Sequence, residues 1–248
     1  MSAIFDNAID SLKVGIKFYL DETFPTAHKH AIISIFHSIE LFLKEKLYRT
    51  HPLFIYKNID IPISDNSQTV GLKEIIVRLS NLDTPLDPKQ EKILKELQRK
   101  RNRIEHHRFE AEDSDFHIIG KALKFLYYFL PAQLHCSLEE HLDDELYRNV
   151  REVILEYDER LAEAEREVNE RTTPKTKDDL ASPTYSAFCP ECDNHTVVIE
   201  TEKGDFCFFC LQEVSMAQCN WCGGYFSTNE VSDFNMCNDC FADQVRKS

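Results

Sequence analysis

The chain has 248 residues, 42% of them hydrophobic, and a formal net charge of −14 at pH 7. That length supports one sizeable core plus an appendage. The acidic balance excludes a protein that coats nucleic acid by bulk charge, because phosphate contacts need clustered Lys and Arg. No apolar run reaches the roughly 18 residues that a membrane span needs, and the start, MSAIFDNAID, lacks the basic and apolar segments of a secretory leader. A cytoplasmic location with no membrane partner is therefore expected. Six glycines are too few for a chain built on many tight turns, so the fold class expected is mainly α.

In chain order, Ile9, Leu12, Ile16 and Leu20 recur at helical spacing from Asn7 to about Leu20. A stronger stripe, Ile32, Ile35, Ile39, Phe42, Leu43 and Leu47, predicts a second helix from Thr26 to about Arg49. The proline-broken stretch HPLFIYKNIDIPISDN predicts an ordered loop packed on the helices, followed by a short helix over about 71–81. Asp87, Pro88 and Gln90 supply an N-cap, a first-turn proline and a capping-box partner, so a helix should start at Pro88 and run to about His107. An aromatic-rich helix should cover roughly 115–130. Ser137 to Glu140 forms a second capping box, opening the stripe Leu138, Leu142, Leu146, Val150, Val153, Tyr157, Leu161, Ala164 and Val168. The long helix it predicts is acidic, with thirteen Asp or Glu against five Arg between 138 and 171. TTPKTKDDLASPTYS then has linker composition.

Eight of the nine cysteines follow residue 188 in four C-x2-C pairs, and the ninth, Cys136, is expected to be a buried thiol. Residues 189–210 and 219–240 repeat one form, C-x2-C, fourteen residues, C-x2-C. In a chain without a secretory leader this pattern points to metal rather than disulfides. A C-x2-C turn presents two thiolates to one ion, and fourteen residues allow a hairpin that returns the second pair. Two structural zinc ions are expected, one on Cys189, Cys192, Cys207 and Cys210, the other on Cys219, Cys222, Cys237 and Cys240. Four thiolates close each shell and leave no position for water, so no catalytic metal is expected. The hairpin favours this sequential pairing; a cross-brace joining Cys189 and Cys192 to Cys219 and Cys222 is the alternative. From residue 188 onward there are ten acidic against three basic residues, which disfavours nucleic acid there. The aromatics Phe208, Phe209, Trp221, Tyr225 and Phe226 could pack within the ribbons or meet a regulatory protein partner.

Within this acidic chain, RKRNRIEHH (99–107) stands out: Lys92 to Arg108 carries seven Lys or Arg against two Glu. On an ideal helix Arg101 falls beside Ile93, Leu97 and Ile104, where a guanidinium needs a carboxylate, an interface or an anion. Glu105, one turn on, is an internal partner for it. Asn102 and His106 share another face, with His106 about 140° from Arg101. All three converge only if the helix ends or bends near His106, or if a second copy completes the site. The acidic helix could also lie against this patch and neutralise it.

Arg101-Asn102-x3-His106 resembles the signature of the HEPN superfamily, and AIISIFHSIELFLKEKLYRTHPLFIYKNID resembles that family's second helix and following loop. The resemblance covers about residues 1–135. It implies a helical bundle and a homodimer whose two motifs face one cleft. Many members are metal-independent endoribonucleases of toxin–antitoxin, CRISPR and anti-phage systems, and others are inactive. By this resemblance Arg101, Asn102 and His106 are the catalytic candidates. RNA cleavage by a 2′-OH needs proton transfer and stabilisation of a dianionic phosphorane. His106 suits acid or base work, Arg101 the phosphoryl oxygens, and Asn102 the orientation of either. Lys100, Arg103, His107 and Arg108 would guide the RNA backbone.

The expectation is thus a HEPN-like helical domain (1–135), a long acidic helix (136–171), a linker (172–187) and tandem zinc ribbons with short β-hairpins (188–248). The expected function is metal-independent endoribonuclease activity in a bacterial defence or toxin-type system. The alternative is a non-catalytic module that binds RNA or nucleotide, or an adaptor between proteins.

Overall fold

The computed structural model describes residues 2–21, 23–24, 26–64, 66–106, 114–174, 184–192, 194–199, 204–230 and 235–247. Among them are seven α-helices and six short strands, divided by packing into two compact units, residues 1–155 and 156–248. No helix among the described residues is long and apolar enough to cross a membrane.

The first unit is helical. α1 (Ala3–Leu20) starts where the Ser2 side chain accepts from the Phe5 N–H at 3.2 Å. It runs against α2 (Ala27–Thr50). Gly15 sets how closely they approach, because a Cβ there would lie 2.6 Å from Ile35 Cγ1 and 3.0 Å from Ile35 N. Ile9, Leu12 and Ile16 are buried as their spacing predicts, whereas Leu20, on the last turn, is 41% exposed. A 3-10 turn (Pro52–Ile55) and an isolated bridge between Tyr56 and Thr69 order the proline-broken stretch. Arg78 clasps it by donating to the Phe54 and Tyr56 carbonyls at 2.6 and 2.8 Å. Arg78 belongs to α3 (Leu72–Asn81).

α4 (Pro88–His106) has the expected capping box, with Gln90 N–H donating to Asp87 Oδ1 at 2.9 Å and Asp87 N–H to Gln90 Oε1 at 3.1 Å. Leu94, Leu97 and Ile104 are its buried apolar residues, and Ile93 is only partly buried. α5 (Ser114–Phe129) passes into a π-turn at Leu130–Leu134. Arg49 and Lys46 of α2 fix that turn by donating to the Leu134 and Gln133 carbonyls at 2.6 and 3.3 Å. Cys136 is buried, and burial pushes its thiol above the ordinary range.

α6 spans Asp144–Thr172, later than the second capping box suggested. Ser137 N–H does donate to Glu140 Oε1 at 3.1 Å, but residues 138–142 form a turn, and Asp143 caps the helix by accepting from the Leu146 N–H at 2.9 Å. The long apolar stripe serves two cores. Leu138 to Val153 belong to the core of the first unit, while Tyr157 and Ala164 belong to that of the second.

In the second unit, β1 (Tyr185–Ala187), β2 (Val197–Ile199), β3 (Asp205–Cys207) and β4 (Gln212–Val214) form one antiparallel sheet in that order. β5 (Met216–Gln218) and β6 (Tyr225–Ser227) form a separate hairpin, and α7 (Asn238–Lys247) follows. Strands of three residues bury little on their own.

Candidate functional site

The two cysteine groups are the best-defined chemistry in the molecule. In each of the sets Cys189, Cys192, Cys207, Cys210 and Cys219, Cys222, Cys237, Cys240, all sulfurs lie within 4.8 Å of one another. The pairing is sequential, as the hairpin argument favoured. Cys189 and Cys210 sulfurs are 3.7 Å apart and those of Cys192 and Cys207 3.6 Å, too far for a disulfide. A tetrahedron with metal–sulfur bonds of about 2.3 Å has edges of about 3.8 Å, so the first set fits a zinc-sized ion.

Local structure explains the convergence. The first tetrad hangs on two turns of one sheet, Cys189 to Cys192 joining β1 to β2 and Cys207 to Cys210 joining β3 to β4. The second is built differently. Cys219 and Cys222 sit in the β5–β6 turn, but Cys237 and Cys240 lie at the start of α7 rather than on a second described hairpin. The sequence repeat therefore does not produce a structural repeat.

Electrostatics explain why such sets require a cation. Hydrogen bonding with Cys192 holds Cys189 below the ordinary thiol range, and contact with Cys189 holds Cys207 well below it. Contact with Cys189 in turn pushes Cys192 and Cys210 far up. In the second set the backbone N–H groups of Cys222 and Cys237 bring Cys219 down to about 6, while contact with Cys237 pushes Cys240 up to about 12. Four adjacent thiolates coexist only when a dication neutralises them. Thr196, fully buried with its hydroxyl 3.2 Å from Cys207 Sγ, is a partner that cysteine spacing alone does not reveal. The β2–β3 register places it there, since Phe208 N–H donates to the Thr196 carbonyl at 2.9 Å.

Of the aromatics in this unit, Phe209 is fully buried and Phe208 and Tyr225 pack against the core, with the Arg171 guanidinium 4.6 Å from the Phe208 ring centre. Trp221 is 67% exposed.

The basic end of α4 is the second locus. Arg101 makes an ion pair with Glu105 at 3.0 Å, the two side chains being 37% and 31% exposed. It also donates from Nη1 to Asn102 Oδ1 at 3.1 Å, and its guanidinium carbon lies 5.9 Å from the Phe36 ring centre. A long side chain at the margin of the core stripe thus packs beside an aromatic and keeps its charge at the surface. Among the described residues, these contacts engage two of its five N–H donors. Asn102 and Arg103 are exposed, whereas Lys100 is 5% exposed and so lies inside the fold. His106 is the final residue of α4; its side chain, and all of His107 and Arg108, lie outside the described residues. The structure therefore brings Arg101, Asn102 and Glu105 together. A groove of 530 Å³ between α3 and α4, lined by Ile76, Val77, Lys95 and Gln98 among others, includes none of the candidate residues.

Other histidines pack against rings, His28 on Tyr19 at 5.7 Å, His30 on Phe18 at 5.0 Å and His195 on Phe188 at 4.7 Å between centroids. Comparison of the chain with protein-family models, with curated proteins and with solved structures finds no match in any of the three.

Proposed function

We propose that the chain is a HEPN-like, metal-independent endoribonuclease of a defence or toxin-type system, acting as a homodimer, with zinc as the structural ion of both cysteine tetrads. The observation that carries this reading is the anchored, partly exposed guanidinium of Arg101 beside Asn102, on the helix that His106 completes. Arg101 holds a phosphoryl oxygen, Asn102 orients the group, and His106 moves the proton to or from the 2′-OH or the leaving oxygen. A second copy supplies the facing motif. The four-cysteine shells have no open coordination position, which supports a structural rather than catalytic ion. The C-terminal unit, acidic and bearing the exposed Trp221, serves a regulatory protein partner.

A second reading is favoured by the Arg101–Glu105 pair itself, since an arginine already paired can be structural. In that case the module binds RNA or nucleotide without cleaving it, or joins other proteins. The test is cleavage of labelled RNA in excess EDTA by wild type, Arg101→Ala and His106→Ala, with folding and zinc content followed in parallel. Cleavage by wild type and its loss in both folded variants supports the nuclease. Absence of cleavage by zinc-replete wild type across diverse RNAs, with RNA binding retained, favours the second reading.

A further inference from the structure

The two tetrads share ligand type and spacing, yet the fold shields them unequally. All four sulfurs of the first belong to buried residues that form part of an apolar cluster with Val197, Phe209 and Tyr157. In the second, Cys219 and Cys237 are buried, Cys222 is exposed and Cys240 is half-buried. None of these four belongs to that cluster. Zinc-bound sulfur remains a nucleophile, so access by an oxidant discriminates between otherwise similar sites.

We propose that the second tetrad is an oxidant-responsive metal site, in which exposed Cys222 reacts first with a hydroperoxide and Cys240 resolves it as a disulfide. The Cys222 thiolate attacks one oxygen of hydrogen peroxide; an S–O bond forms, the O–O bond breaks and hydroxide leaves. The Cys240 thiolate then attacks that sulfur; the S–S bond forms, the S–O bond breaks and a second hydroxide leaves. Two thiolates together give up two electrons and the peroxide accepts them. Cys240 is the natural second sulfur because it is the other ligand of this set that is not buried, within 4.8 Å of Cys222 and on the first turn of α7. Closing the bond to about 2.05 Å needs a local shift of a few ångströms. Cys219 and Cys237 alone cannot close a four-sulfur shell, so zinc leaves.

The reacting sulfurs also position apolar surface. Trp221 precedes Cys222, Phe241 follows Cys240 and Val245 lies one turn further on α7, with exposures of 67%, 40% and 58%. Oxidation therefore remodels a surface that a partner could read. That consequence rests on the partner role proposed above; the sulfur chemistry does not.

The experiment treats the zinc-loaded full-length protein with hydrogen peroxide, following zinc release with a chromophoric chelator and mapping cysteines by alkylation and mass spectrometry. One zinc equivalent is expected to leave roughly tenfold or more faster than the other, as accessible and buried sulfurs differ in reactivity. A Cys222–Cys240 disulfide should accompany it, and thiol reductant plus zinc should restore the site. Cys222→His supplies a nitrogen ligand in place of the attacking sulfur, so its faster equivalent should slow to the rate of the other. Equal release rates, earlier oxidation of the first tetrad, a different disulfide, or a metal-loaded Cys222→His that releases as fast as wild type would each overturn the proposal. If that variant binds only one equivalent, the wild-type map decides. None of these readouts depends on RNA cleavage, so failure of the nuclease reading leaves them interpretable.

Discussion

The helical unit and the C-terminal unit reach order by different means. The first encloses a large apolar core, with Phe5, Leu12, Ile39, Phe42 and Leu126 all essentially inaccessible, and even its buried carboxylate, Glu45, accepts from Ser2 and pairs with Arg49 at 2.8 Å. Among its described residues, the second has six strands of three residues each and a smaller cluster in which four of the buried members are cysteines. Where apolar area is short, cross-links carry the fold; where it is ample, polar groups at the surface are free for other work. Sensitivity to metal removal and sensitivity to core truncation should therefore separate along the chain.

The largest expected effect is metal removal. Structural zinc contributes apparent binding energies of about 10–16 kcal/mol in small domains, so chelation should unfold the C-terminal unit while most helical ellipticity remains. The single tryptophan, Trp221, reports that unit alone by fluorescence. Simultaneous loss of helical ellipticity would break the distinction. Acid should act in the same direction, because the sulfurs must lose protons to bind: affinity falls as pH falls, which titration of zinc against pH will show.

Next in size is the core. Phe42→Ala should cost the helical unit about 3–5 kcal/mol, measured by denaturant unfolding of the full chain, with zinc content unchanged. Phe42 is fully buried and meets Phe5 edge-on at 5.5 Å. Gly15→Ala should cost about 1–3 kcal/mol, because the added methyl meets Ile35 backbone as well as side chain. Smallest is Arg101→Ala, whose exposed ion pair contributes at most about 1 kcal/mol. A near-neutral effect on stability together with loss of RNA cleavage would mark Arg101 as functional, whereas a loss above about 2 kcal/mol would mark it as structural.

The parts most legible in the sequence are those where local and global signals agree. Asp87 and Gln90 announce α4 because both bonds of the reciprocal box form and the helix starts at Pro88 between them. The similar box at Ser137 forms its backbone-to-Glu140 bond yet yields a turn, and Asp143 caps instead. Periodicity could not tell these apart, since Leu138 and Leu142 keep the spacing of the stripe and are buried although they lie in a turn before α6. Nor could it show that Leu138 to Val168 is one stripe serving two cores. Cysteine spacing identified every member of both cysteine sets, but the contrast between them was hidden, because shielding depends on tertiary packing, with Tyr157 of α6 joining Val197 and Phe209 in the cluster around the first set. At α4, Glu105 was visible as a partner for Arg101, whereas the bond to Asn102 was not: neighbours on different faces meet only when a long side chain folds along the surface.

The contact at Gly15 has a further consequence, in time rather than in energy. α1 and α2 are joined through residues 21–26, so their contacts link positions close in sequence, and such low-contact-order pairings form early because little loop entropy opposes them. The glycine permits a close approach within that hairpin. If this hairpin is the folding nucleus, Gly15→Ala should slow refolding more than it accelerates unfolding, giving a high φ-value, while truncations outside the hairpin, such as Leu126→Ala in α5, should mainly accelerate unfolding.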